Sequence, residues 1–119
     1  MSLKAYQKAQ RTAEDPRGTE YRLFAQVTHA LIEAGNKGRA DIAGLMDAVD
    51  WNRRMWSALA TDCTNPDNQL APAIRAQIIS LSLWVSRYSS EAIQQGASLE
   101  PLIDVNKSIM AGLAQRPAV

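Results

Sequence analysis

Few side chains in this sequence have the types and spacing that chemistry requires. His29 is the one histidine, and at helical pitch it falls with Gln26 and Glu33 on the polar side of its segment, which suits an exposed residue rather than a base or ligand. Cys63 is the one cysteine. It closes an apolar helical seam and reads as a small core residue; with no partner in the chain it excludes an internal disulfide and fits a reducing compartment. Gly35-Asn36-Lys37-Gly38 has neither the spacing nor the preceding strand of a phosphate-binding loop. The pattern offers no nucleophile beside a base, no paired carboxylates in one pocket and no metal-ligand cluster. No enzyme, cofactor or metal site is therefore expected.

What remains is a set of polar and aromatic residues on apolar helical faces. Ile42, Leu45, Val49, Asn52, Trp56, Leu59 and Cys63 alternate steps of three and four, which is one buried seam of a helix. Ala48, Trp51, Met55 and Ala58 form a second stripe beside it, so this helix should bury a wide face and meet more than one neighbour. A third seam, Leu99, Leu102, Asn106, Ile109 and Leu113, is also interrupted by one asparagine. A buried carboxamide without partners costs about 1–3 kcal/mol. Asn52 and Asn106 are therefore read as structural polar residues that fix helix register by bonding a side chain, a loop carbonyl or each other. Trp56 and Trp84 read as core, whereas Trp51, on the flank of its seam with Met55 one turn on, is open between core and interface anchor. For Arg53-Arg54 the alternatives are a solvated face near Asp47 and Asp50 or a contact to an anion or partner. Tyr6, Trp51, Met55, Arg53 and Arg54 are the candidate partner-binding residues.

The elements that position these residues are helical throughout. Leu3 to Thr12 has only a thin apolar edge of Leu3, Tyr6 and Ala9 or Ala13, marginal as an isolated helix and expected to order conditionally. Asp15-Pro16 supplies a cap and a first-turn proline for a helix to about Ala34, with Leu23, Phe24, Val27, Ala30 and Leu31 inward and the Gly35 to Gly38 stretch ending it. The seam ending at Cys63 stops in the turn residues Thr64 to Gln69. After Pro72, Ile74, Ile78, Leu81, Val85, Tyr88 and Ala92 form another seam, widened by Ile79, Leu83 and Trp84. Gly96 ends that helix, Ser98 caps the next and Pro101 sits in its first turn. No stretch sustains period-two alternation. The expected fold is all-α, one domain over residues 1–119: a small bundle of four main helices plus a shorter N-terminal helix.

Composition bounds the partners. The 119 residues carry 13 Lys and Arg against 12 Asp and Glu, a formal charge of +1, with the two signs interleaved. That balance argues against nucleic-acid binding through charge alone. The N-terminal lysines are not followed by an apolar run, and no segment approaches the roughly 20 apolar residues of a membrane span. A cytoplasmic protein without a signal peptide is expected.

Asp15-Pro16-Arg17, Asn52-Arg53-Arg54-Met55-Trp56, Pro66-Asp67-Asn68, Arg75 to Leu81 and Pro101 to Ile109 occur in an order and spacing that resemble the flagellar biosynthesis regulatory protein FlaF family over nearly the whole chain. The stretch from Gly35 to Ile42 carries none of this likeness. The resemblance implies a cytoplasmic, non-enzymatic factor in flagellum assembly that supports flagellin production and export alongside the partner regulator FlbT. In that pairing FlbT is the member linked to flagellin messenger RNA, and FlaF looks like a dedicated flagellin chaperone. Two classes stay open. One is a module that binds flagellin through its terminal helices; the other is an RNA-binding regulator of flagellin translation acting through Arg17, Arg22, Arg53 and Arg54, against which the near-zero charge argues.

Overall fold

The computed structural model describes residues 16–114. Helix α1 spans Pro16–Lys37, one turn of 3-10 helix spans Gly38–Asp41, and α2 (Ile42–Cys63), α3 (Pro72–Gln95) and α4 (Glu100–Ala114) follow. Among the described residues there is no strand, so the all-α class is borne out. The element count is corrected. In place of four separate main helices, α1 passes through the 3-10 turn into α2 without a coil residue, leaving three uninterrupted helical stretches, 16–63, 72–95 and 100–114. The short N-terminal helix expected over Leu3 to Thr12 lies outside the described residues.

Local geometry explains why Gly35 to Gly38 does not open a loop. Lys37 keeps right-handed helical angles (φ −77°, ψ −27°), and only Gly38 turns to φ 60°, a conformation that costs glycine little. Asp41 then leaves the helical region (φ −124°, ψ 73°), and its carboxylate accepts the Gly44 N–H at 3.1 Å, capping α2. At the far end of α2 the Thr64 to Gln69 turn is knitted by asparagines: Asn65 Oδ1 accepts the Asp67 N–H and Asn68 Oδ1 the Leu70 N–H, both at 2.9 Å. The second bond tucks Leu70 into the core at 6% exposure.

Two arginines tie helix ends together. Arg75, in the first turns of α3, donates to the Cys63 carbonyl through Nε (3.2 Å) and Nη2 (2.9 Å), and Nη2 also reaches the Asn65 carbonyl at 3.3 Å. The last carbonyls of a helix have no partner within it, and the negative end of the helix dipole favours a cation there. Arg39 of the 3-10 turn does the same for α3, donating to the Ile93 carbonyl at 3.3 Å. The α3 helix ends at Gly96 (φ 71°), and Ser98 Oγ accepts the Glu100 N–H at 3.1 Å to start α4.

The α2 helix packs against both α1 and α3, α1 also packs on α4, and α3 meets α4. Phe24, Leu31, Val49, Trp56, Ile78, Val85 and Leu102 are almost completely buried at the centre. Each such side chain contributes about 1.5–3 kcal/mol by burial. Phe24 meets the Trp56 ring edge-on, with centroids 5.6 Å apart and planes at 87°. Among the described residues no helix is long and apolar enough to cross a membrane.

Candidate partner-binding surfaces around a buried polar network

The two asparagines meet in the core. An indole nitrogen can only donate, and Trp56 Nε1–H donates to Asn106 Oδ1 at 2.8 Å, which fixes the orientation of the Asn106 amide. Its Nδ2 must then donate, and it does so twice: to Asn52 Oδ1 at 2.8 Å and to Thr28 Oγ1 at 3.1 Å. The Thr28 hydroxyl in turn donates to Met110 Sδ at 3.9 Å. One connected set of side chains thereby joins α1, α2 and α4 where Asn52 and Asn106 are fully buried and Thr28 is 5% exposed. The set is unequal. Asn106 uses both ends of its amide, whereas Asn52 Nδ2 has no protein partner, as is true of the buried Ser89 Oγ on α3.

Thr28 and Ser89 went unread in the sequence because a hydroxyl on a helix counts as polar. Their spacing was informative: Phe24, Thr28 and Leu31, and likewise Val85, Ser89 and Ala92, keep the three-four step of buried seams. Leu70 was missed because one apolar residue in a turn carries no periodicity.

The candidate partner residues fall in different places. Trp51 is 39% exposed and stands at a groove of about 250 Å³ between α1 and α2, floored by Ala30, Ala34 and Ala48 and edged by Glu33, Lys37 and Asp47. Met55 requires correction as an exposed anchor, since it is 4% exposed. Within the second stripe of α2, Ala48 and Met55 turn inward and only the flanking Trp51 stays well exposed among its large side chains. Arg54 is solvent-facing and pairs with Asp50 at 2.9 Å, the i,i+4 arrangement of a solvated face. Arg53 is half-buried, and its Nη2 donates to Ser90 Oγ of α3 at 3.1 Å. Tyr6 lies outside the described residues.

The remaining chemistry-bearing groups are structural in their surroundings. His29 is exposed beside Glu33 (3.1 Å), and Cys63 is buried. Trp84, expected in the core, is half-buried and stacks on Tyr88 at 5.1 Å between centroids. The Tyr88 hydroxyl donates to the Ser98 carbonyl, pinning α3 to the turn before α4. Desolvation raises the Tyr88 phenol above its ordinary pKa, and the Glu91 carboxylate adds to the rise. A recess of about 530 Å³ between the 3-10 turn and the α3–α4 connection has a mixed rim of Arg39, Glu100, Asp104 and Lys107. Among the described residues no group of three or more His, Cys, Asp or Glu could hold a metal ion.

These features define a small helical bundle held in register by a buried carboxamide network, with grooves between helices as its main surface features. The family model for the flagellar protein FlaF matches residues 2–113, and the chain belongs to that family. No curated protein and no solved structure matches it significantly.

Proposed function

We propose that this protein is a flagellum assembly factor that binds flagellin, acting in the cytoplasm with FlbT as a chaperone-like regulator of flagellin synthesis and secretion. Membership of the flagellar protein FlaF family over residues 2–113 is the observation that carries this reading. The α1–α2 groove supplies a means. An amphipathic helix binds by laying its apolar face into such a groove, and an indole left 39% exposed at the groove is a suitable anchor. Bound there, a terminal helix of flagellin is masked from premature assembly. The charged rim of Glu33, Lys37 and Asp47 would orient the polar side of the client.

The RNA-binding reading ranks second, because Arg54 is neutralised by Asp50 and the chain as a whole carries a charge of only +1. The test is gel filtration of the purified protein with monomeric flagellin, with FlbT and with flagellin leader RNA, each alone. Co-elution with flagellin supports the proposal. Co-elution with FlbT or RNA but not with flagellin overturns it and makes that molecule the direct partner.

A further inference from the structure

Of the six large apolar side chains exposed among the described residues, four fall on one surface, and it is not the Trp51 groove: Ile42 and Met46 on α2, Ile79 and Leu83 on α3. The bond from Arg53 to Ser90 establishes which sides of the two helices meet at the surface. At about 100° per residue, Ile42, Met46 and Arg53 lie within about 40° of each other around α2, and Ile79, Leu83 and Ser90 within about 40° around α3. Trp51 is about 160° away from Arg53 on the same helix. The helices run antiparallel, with Arg75 on the Cys63 carbonyl near the other end of the pair. Ile42 and Ile79 therefore mark opposite ends of a stripe about 30 Å long, the length of a helix of about 20 residues.

Arg53 sits between the two apolar ends, and it is an incomplete site. Its Nε–H is buried without an acceptor, its one hydrogen bond goes to a neutral hydroxyl, and among the described residues no carboxylate pairs with it. A guanidinium presents its N–H groups as a fork that suits a carboxylate. Leu83 at 68% and Met46 at 49% exposure call for an apolar partner on either side.

We propose that the outer α2–α3 face docks an amphipathic helix of a partner protein, about 20 residues long, apolar at both ends of one face and carrying a carboxylate midway that takes the Arg53 guanidinium. Charge selects this occupant. A second copy meeting this face about a two-fold axis would bring Arg53 against Arg53. Residues 1–15 of this chain carry Lys4, Lys8 and Arg11 against Glu14 and Asp15, so as an occupant they would bring it more base than acid. A phosphate backbone would satisfy Arg53 and leave Leu83 and Met46 against a polar ligand. This surface is distinct from the flagellin groove and does not depend on it.

The test uses a labelled helical peptide with leucines in its first and last turns along one face and glutamates between them, beside a twin with lysines for the glutamates and a single-stranded RNA. Fluorescence anisotropy should show saturable binding of the glutamate peptide to the full chain and at least tenfold weaker binding of the twin and the RNA. Leu83→Asp and Arg53→Gln should each weaken the glutamate peptide at least tenfold, while His29→Ala, on α1, leaves it unchanged. Leu83 is exposed enough that its substitution keeps the helical circular dichroism, so the result stands even where Arg53→Gln perturbs folding. Equal binding of the two peptides, preference for RNA, or no effect of Leu83→Asp overturns the proposal. No probe contains flagellin, so these outcomes leave that reading untouched.

Discussion

Asn106 Nδ2 donates to Asn52 Oδ1 at 2.8 Å, joining the middle of α4 to the middle of α2. The two residues depend on this bond to different degrees, because Asn106 also accepts from Trp56 and donates to Thr28, whereas Asn52 has no other partner.

Substitution should expose that asymmetry. Asn106→Leu strands the Trp56 N–H in the core and should cost about 1–3 kcal/mol. Asn52→Leu strands one Asn106 N–H but also removes an amide nitrogen that already lacks a partner, so the two effects offset and its cost should stay within about 1 kcal/mol of zero. Urea denaturation measures both. Equal losses would show that the network is not organised around Asn106.

Gly44 resists the usual helix-stabilising change. A Cβ built there runs into Asp41 Oδ2, part of the carboxylate that caps α2. Gly44→Ala should therefore fail to deliver the gain of up to about 1 kcal/mol expected inside a helix. Asp41→Ala should cost about 1 kcal/mol by itself, and the two losses should not add. A stabilised Gly44→Ala variant with the cap intact would contradict this.

Arg75 should matter more than its position suggests. Replacing it with Met keeps an unbranched apolar stem and deletes the bonds to the Cys63 and Asn65 carbonyls, for a loss of about 1–2 kcal/mol. Hydrogen exchange should accelerate in the last turn of α2. Unchanged protection there would show that the clamp is dispensable.

High pH should loosen the α3–α4 junction through Tyr88. A phenol whose pKa is raised in the folded state leaves stability unchanged below its unfolded value near 10 and removes stability as pH climbs from there through the folded value. Wild type should lose more stability than Tyr88→Phe between pH 9 and pH 11. Parallel losses would assign the alkaline sensitivity to other groups.

Much of this fold was legible because burial on a helix writes itself as steps of three and four. The seams through Asn52 and Asn106 are of this kind apart from Ile42, which opens the first and is 41% exposed, and even their polar interruptions pointed inward. Sequence spacing could not say how far the second stripe of α2 is covered, and for that reason Met55 read as a candidate anchor although it is 4% exposed. Gly35 read as a stop, although nothing local prevented the helix from continuing to Lys37 until Gly38 turned it. The surface formed by Ile79, Leu83, Ile42 and Met46 was illegible for the opposite reason. In a helix apolar on nearly every side, only the packing shows which residues are left outside.

The central claim, that this protein captures flagellin through the α1–α2 groove, is tested most directly by calorimetric titration of monomeric flagellin into the wild-type protein and Trp51→Glu. The account predicts saturable binding to wild type at tens of micromolar (about −6 kcal/mol) or tighter. It predicts at least a tenfold loss for the variant, with the same helical circular dichroism in both. No detectable heat with folded wild-type protein at about 50 µM, or equal affinity for wild type and variant, would contradict it.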